Sequence, residues 1–289
     1  MSDLHERVLS WYAEHARDLP WRRPQTSPWG VMVSEFMLQQ TPVSRVLPAY
    51  ERWMEAWPGP ADLAAASAGE AVRAWGRLGY PRRALRLHAA ASVIVADRGG
   101  EVPSTLEGLR SLPGVGEYTA AAVACFAFGQ RQVVLDTNVR RVLARAVHGQ
   151  ELPPASLTRA ERDAAESLLP GHAPTAAAWS VAVMELGALV CTASNPRCSS
   201  CPVEDLCAWV QAGRPAYDGP PRRGQSYAGT DRQCRGRLLA VLRDEHGPVP
   251  RPRLDAVWSD VAQRERCLAS LVTDGLVVAG PTPGTYILP

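Results

Sequence analysis

Four cysteines crowd into residues 191 to 207: Cys191, Cys198, Cys201 and Cys207, spaced C-x6-C-x2-C-x5-C. A chain that gathers four thiolates on so short a loop must hold that loop against a scaffold, and the set suits either a tetrahedral zinc or an iron–sulfur cluster. Zinc ribbons usually carry two C-x2-C pairs set farther apart, and this loop has one such pair. The seven cysteines of the chain are an odd number, and its first residues, MSDLHERVLSWYAEH, show no apolar stretch behind a basic start. Metal binding therefore explains the cluster of cysteines better than a disulfide framework does. Cys125, Cys234 and Cys267 stand apart and read as buried or incidental thiols.

Ahead of this loop, Pro and Gly punctuate one apolar helical pattern after another. Leu4, Val8, Trp11 and Tyr12 follow a cap at Ser2 with helical spacing. Further helices are predicted around residues 30–40, 42–56, 69–77, 81–97, 105–111, 117–128, 138–148, 158–169 and 175–190, with Ser104 and Glu107 as a capping box. No stretch before residue 213 alternates with period two for long, so the body reads as all-α. Residues 214–232 are rich in Gly, Pro and Arg and read as a linker. Residues 233–289 predict three short helices and a hairpin, the order of a small winged-helix-like module.

With 46% hydrophobic residues a sizeable core is available, yet the longest apolar runs, such as residues 119–128, are too short to span a bilayer. A cytoplasmic protein with no membrane association is expected. The net charge of +2 gives bulk composition little say about nucleic acid, so any phosphate-binding face must come from local arginine placement. All 31 basic residues are arginine, because the chain contains no lysine. Arginine cannot form a Schiff base, which excludes lysine imine chemistry and leaves only the N-terminal amine as a substitute.

Three segments carry candidate chemistry. In VMVSEFMLQQT, Glu35 lies within a nearly unbroken apolar helix, where burial raises a carboxyl pKa and suits a general acid. In VVLDTNVRRVLAR, Asp136 and Asn138 stand at the mouth of a helix; Asp136 reads as an N-cap and can at the same time face a sugar cation. Between them LPGVGEYTA places Gly114 and Gly116 in a tight hairpin whose N–H groups, with the next helix N-terminus, suit a phosphate.

Taken together, SEFMLQQT, RLGYPRRALRLH, LPGVGEYTAAAV, LDTNVRRVLAR and the cysteine loop resemble adenine DNA glycosylases of the MutY type across residues 5 to 210. The resemblance implies an all-α, two-lobed helix-hairpin-helix DNA glycosylase core over 1–213. Residues 26–133 would form a six-helix barrel lobe, 1–25 with 134–213 an iron–sulfur lobe holding a 4Fe-4S cluster on the four cysteines, and the active site would lie in the cleft between them. It implies a monomer acting on double-stranded DNA with A:8-oxoguanine or A:G mispairs, flipping out the adenine.

Residue by residue, Glu35 would protonate the adenine, Asp136 would stabilise the sugar cation and Asn138 would orient these groups. Tyr118 occupies the position where strand-cleaving relatives carry the Schiff-base lysine, which implies a monofunctional enzyme. Gln39 and Gln40 would approach the helix at the lesion, and Tyr80 would stack beside the opposing base. Trp21, Arg22 and Glu185 would line the adenine pocket, with Glu185 accepting from the exocyclic amine.

Two departures from the family pattern stand out: Pro81 replaces a second tyrosine after Tyr80, and a winged-helix-like tail follows where typical members continue into a Nudix-like domain. Arg264 and Arg266 of this tail are expected to contact duplex. The competing readings are a thymine or uracil mismatch glycosylase, a non-catalytic iron–sulfur DNA-binding protein and a bifunctional endonuclease III. QQT with Glu35 favours adenine over thymine, and the absence of lysine argues against the last.

Overall fold

In the computed structural model, which describes residues 2–220 and 227–289, helices start and stop where the Pro, Gly and capping residues fall. The first half of the chain carries α1 (Asp3–His15), α2 (Pro28–Leu38), α3 (Val43–Ala56), α4 (Pro60–Ala65), α5 (Ala68–Trp75), α6 (Arg82–Arg98), α7 (Leu106–Arg110) and α8 (Glu117–Phe128). Then follow α9 (Thr137–Ala146), α10 (Arg159–Leu168), α11 (Ala173–Leu189) and α12 (Ala208–Gln211). The C-terminal part holds α13 (Asp231–Asp244), β1 (Val249–Pro250), α14 (Arg251–Asp255), α15 (Val261–Thr273), β2 (Val278–Ala279) and β3 (Thr285–Ile287). The body is all-α, as the missing period-two alternation requires.

The chain divides into two units. The first comprises Met1–Val31, Ser104–Arg110 and Val115–Pro221. Its core forms where α1, α9 and α11 pack together: Val139, Val142 and Leu143 make one apolar stripe of α9, meeting Val8 of α1 and Val183 and Leu186 of α11. The cysteine loop is built into this core, with Val203 buried and Cys191 and Cys201 packed against it. Gly187 of α11 permits the close approach of α9, because a Cβ there would lie 2.7 Å from Cβ of Asn138.

The second unit comprises Met32–Pro103, Ser111–Gly114 and Arg222–Pro289. Here α4 and α5 pack on α6, burying Leu63, Val72, Leu87 and Ile94. Ser67 and Glu70 close a reciprocal capping box at the start of α5, at 3.1 and 2.8 Å. The C-terminal module has the winged-helix order, its antiparallel strands running β1-β3-β2 with Val249 opposite Tyr286 and Val278 opposite Ile287.

Four expectations are corrected. Contacts assign α7, α8 and residues 115–133 to the unit that carries the cysteine loop, not to a lobe spanning 26–133, because the apolar face of α8 packs on Val134 and toward α11. The tail does not stand alone behind its linker. Arg243 Nε donates to Val72 O at 3.0 Å, Arg73 reaches the carbonyl of Arg243, and Arg82 pairs with Asp274 at 3.2 Å, so α5 and α6 hold the module. The linker ends earlier than residue 232, since Thr230 caps α13 by accepting from Gln233 N at 3.3 Å; residues 221–226 lie outside the described residues. Finally, the start of α7 is capped by Thr105, whose Oγ1 accepts from Gly108 N at 3.1 Å, so the expected Ser104–Glu107 box is one residue out of register. The short α4 was not foreseen.

Candidate active site and cysteine loop

Asp136 is the N-cap of α9. One carboxylate oxygen accepts from Val139 N at 2.7 Å and the other from Asn138 Nδ2 at 2.8 Å. Desolvation is the larger influence and raises its pKa, opposed by these two donors and by the charge of Arg141. Asp136 is thus the helix cap that the sequence suggested. Asn138 is itself fixed: its Oδ1 accepts from Arg141 Nη2 at 2.8 Å, and its Cβ fills the space left by Gly187. Tyr118, one residue inside α8, is half-buried and packs against Ala122, Cys125 and Val134 in the same unit.

The next two turns of α9 tie Asp136 to the cysteine loop. Arg141, which holds Asn138, also donates from Nε to Cys191 O at 2.7 Å and from Nη2 to Gly187 O at 2.6 Å. Arg145, nearly buried, donates from Nη1 to Cys191 Sγ at 3.4 Å and to Thr192 O at 2.8 Å, and its guanidinium lies 4.8 Å from the ring of Trp209. Neither arginine was singled out from the sequence. Their i, i+4 spacing in NVRRVLAR was the available signal, since it puts both on the face of α9 that carries Asn138 at i−3 from Arg141.

The donor set of the loop fits an iron–sulfur cluster. Burial raises the thiol of Cys201 to about 12 and also raises Cys191, against the opposing pull of Arg145. Isolated thiolates are disfavoured in such a dry place, whereas a cluster that shares their charge and sits beside two guanidinium groups is not. Among the described residues no three Cys, His, Asp or Glu side chains converge closely enough for a single ion. A multi-iron cluster takes one thiolate per iron and so accepts a wider ring of ligands.

Glu185 is committed to ion pairs that the sequence does not show. It is 0% exposed on α11. Oε1 accepts from Arg17 N at 3.1 Å and Arg17 Nε at 2.7 Å, while Oε2 accepts from Arg17 Nη2 at 2.6 Å and faces Arg22 Nη1 at 3.0 Å. A carboxylate has about four lone-pair positions; Arg17 takes three of them, and the Arg22 guanidinium stands against the remaining side of Oε2. Burial pushes the Glu185 pKa up, but the Arg17 hydrogen bonds and the charge of Arg22 outweigh it and leave the carboxyl below its ordinary range. Glu185 therefore fixes Arg17 and Arg22 and, through them, the N-terminal segment. The Arg22 contact is an ion pair whose angle does not make a hydrogen bond. Trp21 is buried in the short 3-10 turn Pro20–Arg22.

In the second unit Glu35 lies on α2, only 6% exposed, between buried Ser34 and Phe36. Beyond the helix the chain turns sharply: Gln40 takes φ +55, and Gln39 is half-buried while Gln40 is exposed. Sequence reasoning missed the residue that organises this turn, Arg83 of α6. Its guanidinium donates to the carbonyls of Phe36, Met37 and Gln39 at 2.8, 3.0 and 2.7 Å, to Thr41 Oγ1 at 3.0 Å and to Gly79 O at 3.0 Å. One buried cation thus caps the end of α2 and joins the QQT turn to the GYP turn. Burial lowers its pKa to about 10, which leaves it charged at neutral pH. Tyr80, in the GYP turn, takes φ +47 and is 41% exposed; Pro81 begins the approach to α6 as its N-cap residue.

The two hairpin glycines differ. Gly114 has φ +80, and a Cβ there would meet Arg86 Cβ at 2.7 Å, so both its backbone and its packing require glycine. Gly116 has an extended backbone and open space where a Cβ would be. It caps α8 without a side chain, leaving room for a group from outside the chain at the helix N-terminus. In the C-terminal module Arg264 is only 9% exposed and is committed to Asp255 and the Trp258 carbonyl, while Arg266 pairs with Asp231. Arg264 is thus committed within the module, whereas the Arg266–Asp231 pair lies exposed on its surface.

Comparisons with known proteins agree with this geometry. Residues 33–165 match the HhH-GPD superfamily of base excision DNA repair proteins, and residues 191–207 match the iron–sulfur binding domain of endonuclease III. The adenine DNA glycosylase of Mycobacterium tuberculosis is 56% identical over 98% of this chain and 92% of its own length. That of Mycolicibacterium smegmatis is 57% identical over 96% and 93%. The solved structure of a thermostable thymine-DNA glycosylase superposes with a TM-score of 0.64 at 28% identity, covering 72% of this chain and 95% of that one. The chain, with its capped Asp136 and its iron–sulfur loop, therefore belongs to the adenine DNA glycosylase family of the HhH-GPD superfamily.

Proposed function

We propose that this chain is a monofunctional adenine DNA glycosylase of base excision repair, acting as a cytoplasmic monomer on adenine opposite 8-oxoguanine or guanine in duplex DNA. The observation that carries the reading is Asp136: a half-buried carboxylate on two neutral donors, with its pKa raised by desolvation, at the helix mouth that Arg141 ties to the cysteine loop. A buried carboxylate held by neutral groups gains when positive charge forms beside it, and in a dry site that gain is large.

In the proposed reaction the adenine leaves the stack, and the Glu35 carboxyl gives its proton to N7. The electron pair of the C1′–N9 bond then departs with the base, and the sugar cation forms against Asp136, which Asn138 holds in place. Water adds at C1′ and loses a proton to a carboxylate, leaving an abasic site and free adenine. Tyr118 offers a hydroxyl where a lyase needs an amine, and with no lysine in the chain no enzyme–sugar imine forms there. A 4Fe-4S cluster on Cys191, Cys198, Cys201 and Cys207 supplies, when bound, a rigid closure of the loop that Arg141 and Arg145 grip. The open space at Gly116 and the N-terminus of α8 suits a DNA phosphate.

The test is base release from duplexes carrying A opposite 8-oxoguanine, G, C or T, and T opposite G, each read with and without hot alkali. The proposal expects release from the first two duplexes, with strand breaks only after alkali. Release of thymine, or breaks without alkali, would overturn it.

A further inference from the structure

The C-terminal module holds an arginine that its own structure does not use. Arg235, Arg251, Arg253, Arg264 and Arg266 each face a carboxylate within the unit. Arg232, at the second position of α13 and exposed, has no carboxylate partner among the described residues. Its guanidinium lies 4.8 Å from the ring centre of Tyr80 and 5.8 Å from that of Tyr227, and its Nη2 comes within 3.9 Å of where a Cβ on Gly79 would stand. Gly79 itself takes φ +84, which keeps that space clear.

Tyr80 is an unusual residue to find there. It holds a left-handed backbone that a bulky side chain rarely adopts, and it leaves its ring 41% exposed. Arg83, which joins the GYP and QQT turns, lies 5.6 Å from the same ring. The fold therefore maintains a strained, exposed aromatic with two guanidinium groups near its ring, and Tyr227, 53% exposed, adds a second ring. Exposed aromatics flanked by arginine make a platform on which a nucleobase stacks, and a planar guanidinium beside it has donors for the acceptors on a purine edge.

We propose that Arg232 is a specificity-determining residue: together with Tyr80 and Tyr227 it holds the purine left without a partner when the adenine opposite it is extruded. This rests on the proposed glycosylase reading, because only a reaction that removes one base from the stack creates such an orphan. It also gives the C-terminal module a place in the DNA site, through Arg232.

The experiment measures duplex affinity of the full-length protein in an Asp136→Asn background, so that no base is released during binding. Two duplexes are compared: A opposite 8-oxoguanine, and A opposite a tetrahydrofuran abasic analogue that has no base to hold. Arg232→Ala is expected to lose roughly tenfold affinity for the first and to leave the second unchanged. Arg232→Lys keeps the charge but not the planar fork, and is expected to show most of the same difference. Equal losses on both duplexes, the result of a phosphate contact or of a purely structural role, would overturn the proposal, as would no loss on either. Base release by the wild-type protein is measured alongside, so that failure of the glycosylase reading is seen separately from failure of the Arg232 assignment.

Discussion

Glu185, fully buried, and Asp136, half-buried, are carboxylates of the same helical unit, and their surroundings drive them in opposite directions. Glu185 meets two guanidinium groups and a backbone N–H, which hold it below its ordinary range although it is buried completely. Asp136 meets one backbone N–H and one side-chain amide, with Arg141 a step away on Asn138, and burial wins. The comparison teaches that burial alone does not make a carboxylate reactive. What decides is whether its lone pairs are already matched by charge: the saturated carboxylate holds the fold together, and the under-matched one has stabilisation to gain from a forming cation.

The largest stability effect is expected at the saturated member. Glu185→Gln removes the charge that Arg17 and Arg22 share and should destabilise the protein by about 3 kcal/mol, read from a denaturant midpoint. Base release per folded molecule should stay within an order of magnitude of wild type. A variant that folds normally but no longer releases adenine would return Glu185 to the role of amine acceptor. Gly187→Ala comes next, because the added methyl must displace Asn138 from a contact of 2.7 Å. Overpacking of this kind costs about 1–3 kcal/mol, and base release should slow with it because Asn138 orients Asp136. Unchanged release in this variant would separate Asn138 from the chemistry.

The smallest stability effect is expected at Asp136 and has a distinct pH signature. Asn caps a helix as well as Asp does, so Asp136→Asn should cost no stability at neutral pH. In the wild type the folded-state pKa of Asp136 is raised above its unfolded value, so its contribution is fully present below the unfolded pKa and is lost as pH rises through the folded pKa. The variant should therefore match the wild type in acid and become the more stable of the two as pH increases. A stability gap that does not change with pH would contradict the assignment of Asp136 as the strained carboxylate.

Local features of the chain were legible and long-range ones were not. The cysteine spacing, the helix starts at Asp136 and Gly116, and the winged-helix order are encoded over a few residues by caps, glycines and periodicity, and they appear in the structure where the sequence puts them. Arg83 escaped notice because its meaning lies in carbonyls of α2 and of the GYP turn, brought together only by the fold. The ion pairs of Glu185 were hidden for the same reason: its partner Arg17 is 168 residues away along the chain. The module's attachment to α5 and α6 depends on backbone carbonyls of Val72 and Arg243, which have no sequence signature at all. Family resemblance suggested roles around Asp136 and Tyr80, and the geometry adds the contacts that hold these residues.

The central claim is that Asp136, not Glu185, faces the chemistry. Single-turnover base release by Asp136→Asn on a saturating A:8-oxoguanine duplex tests it most directly, with binding measured on the same duplex. The account predicts intact binding and release slower by roughly 10³-fold, the scale of losing one preorganised stabiliser of transition-state charge. Release within tenfold of wild type would contradict it and remove Asp136 from the reaction.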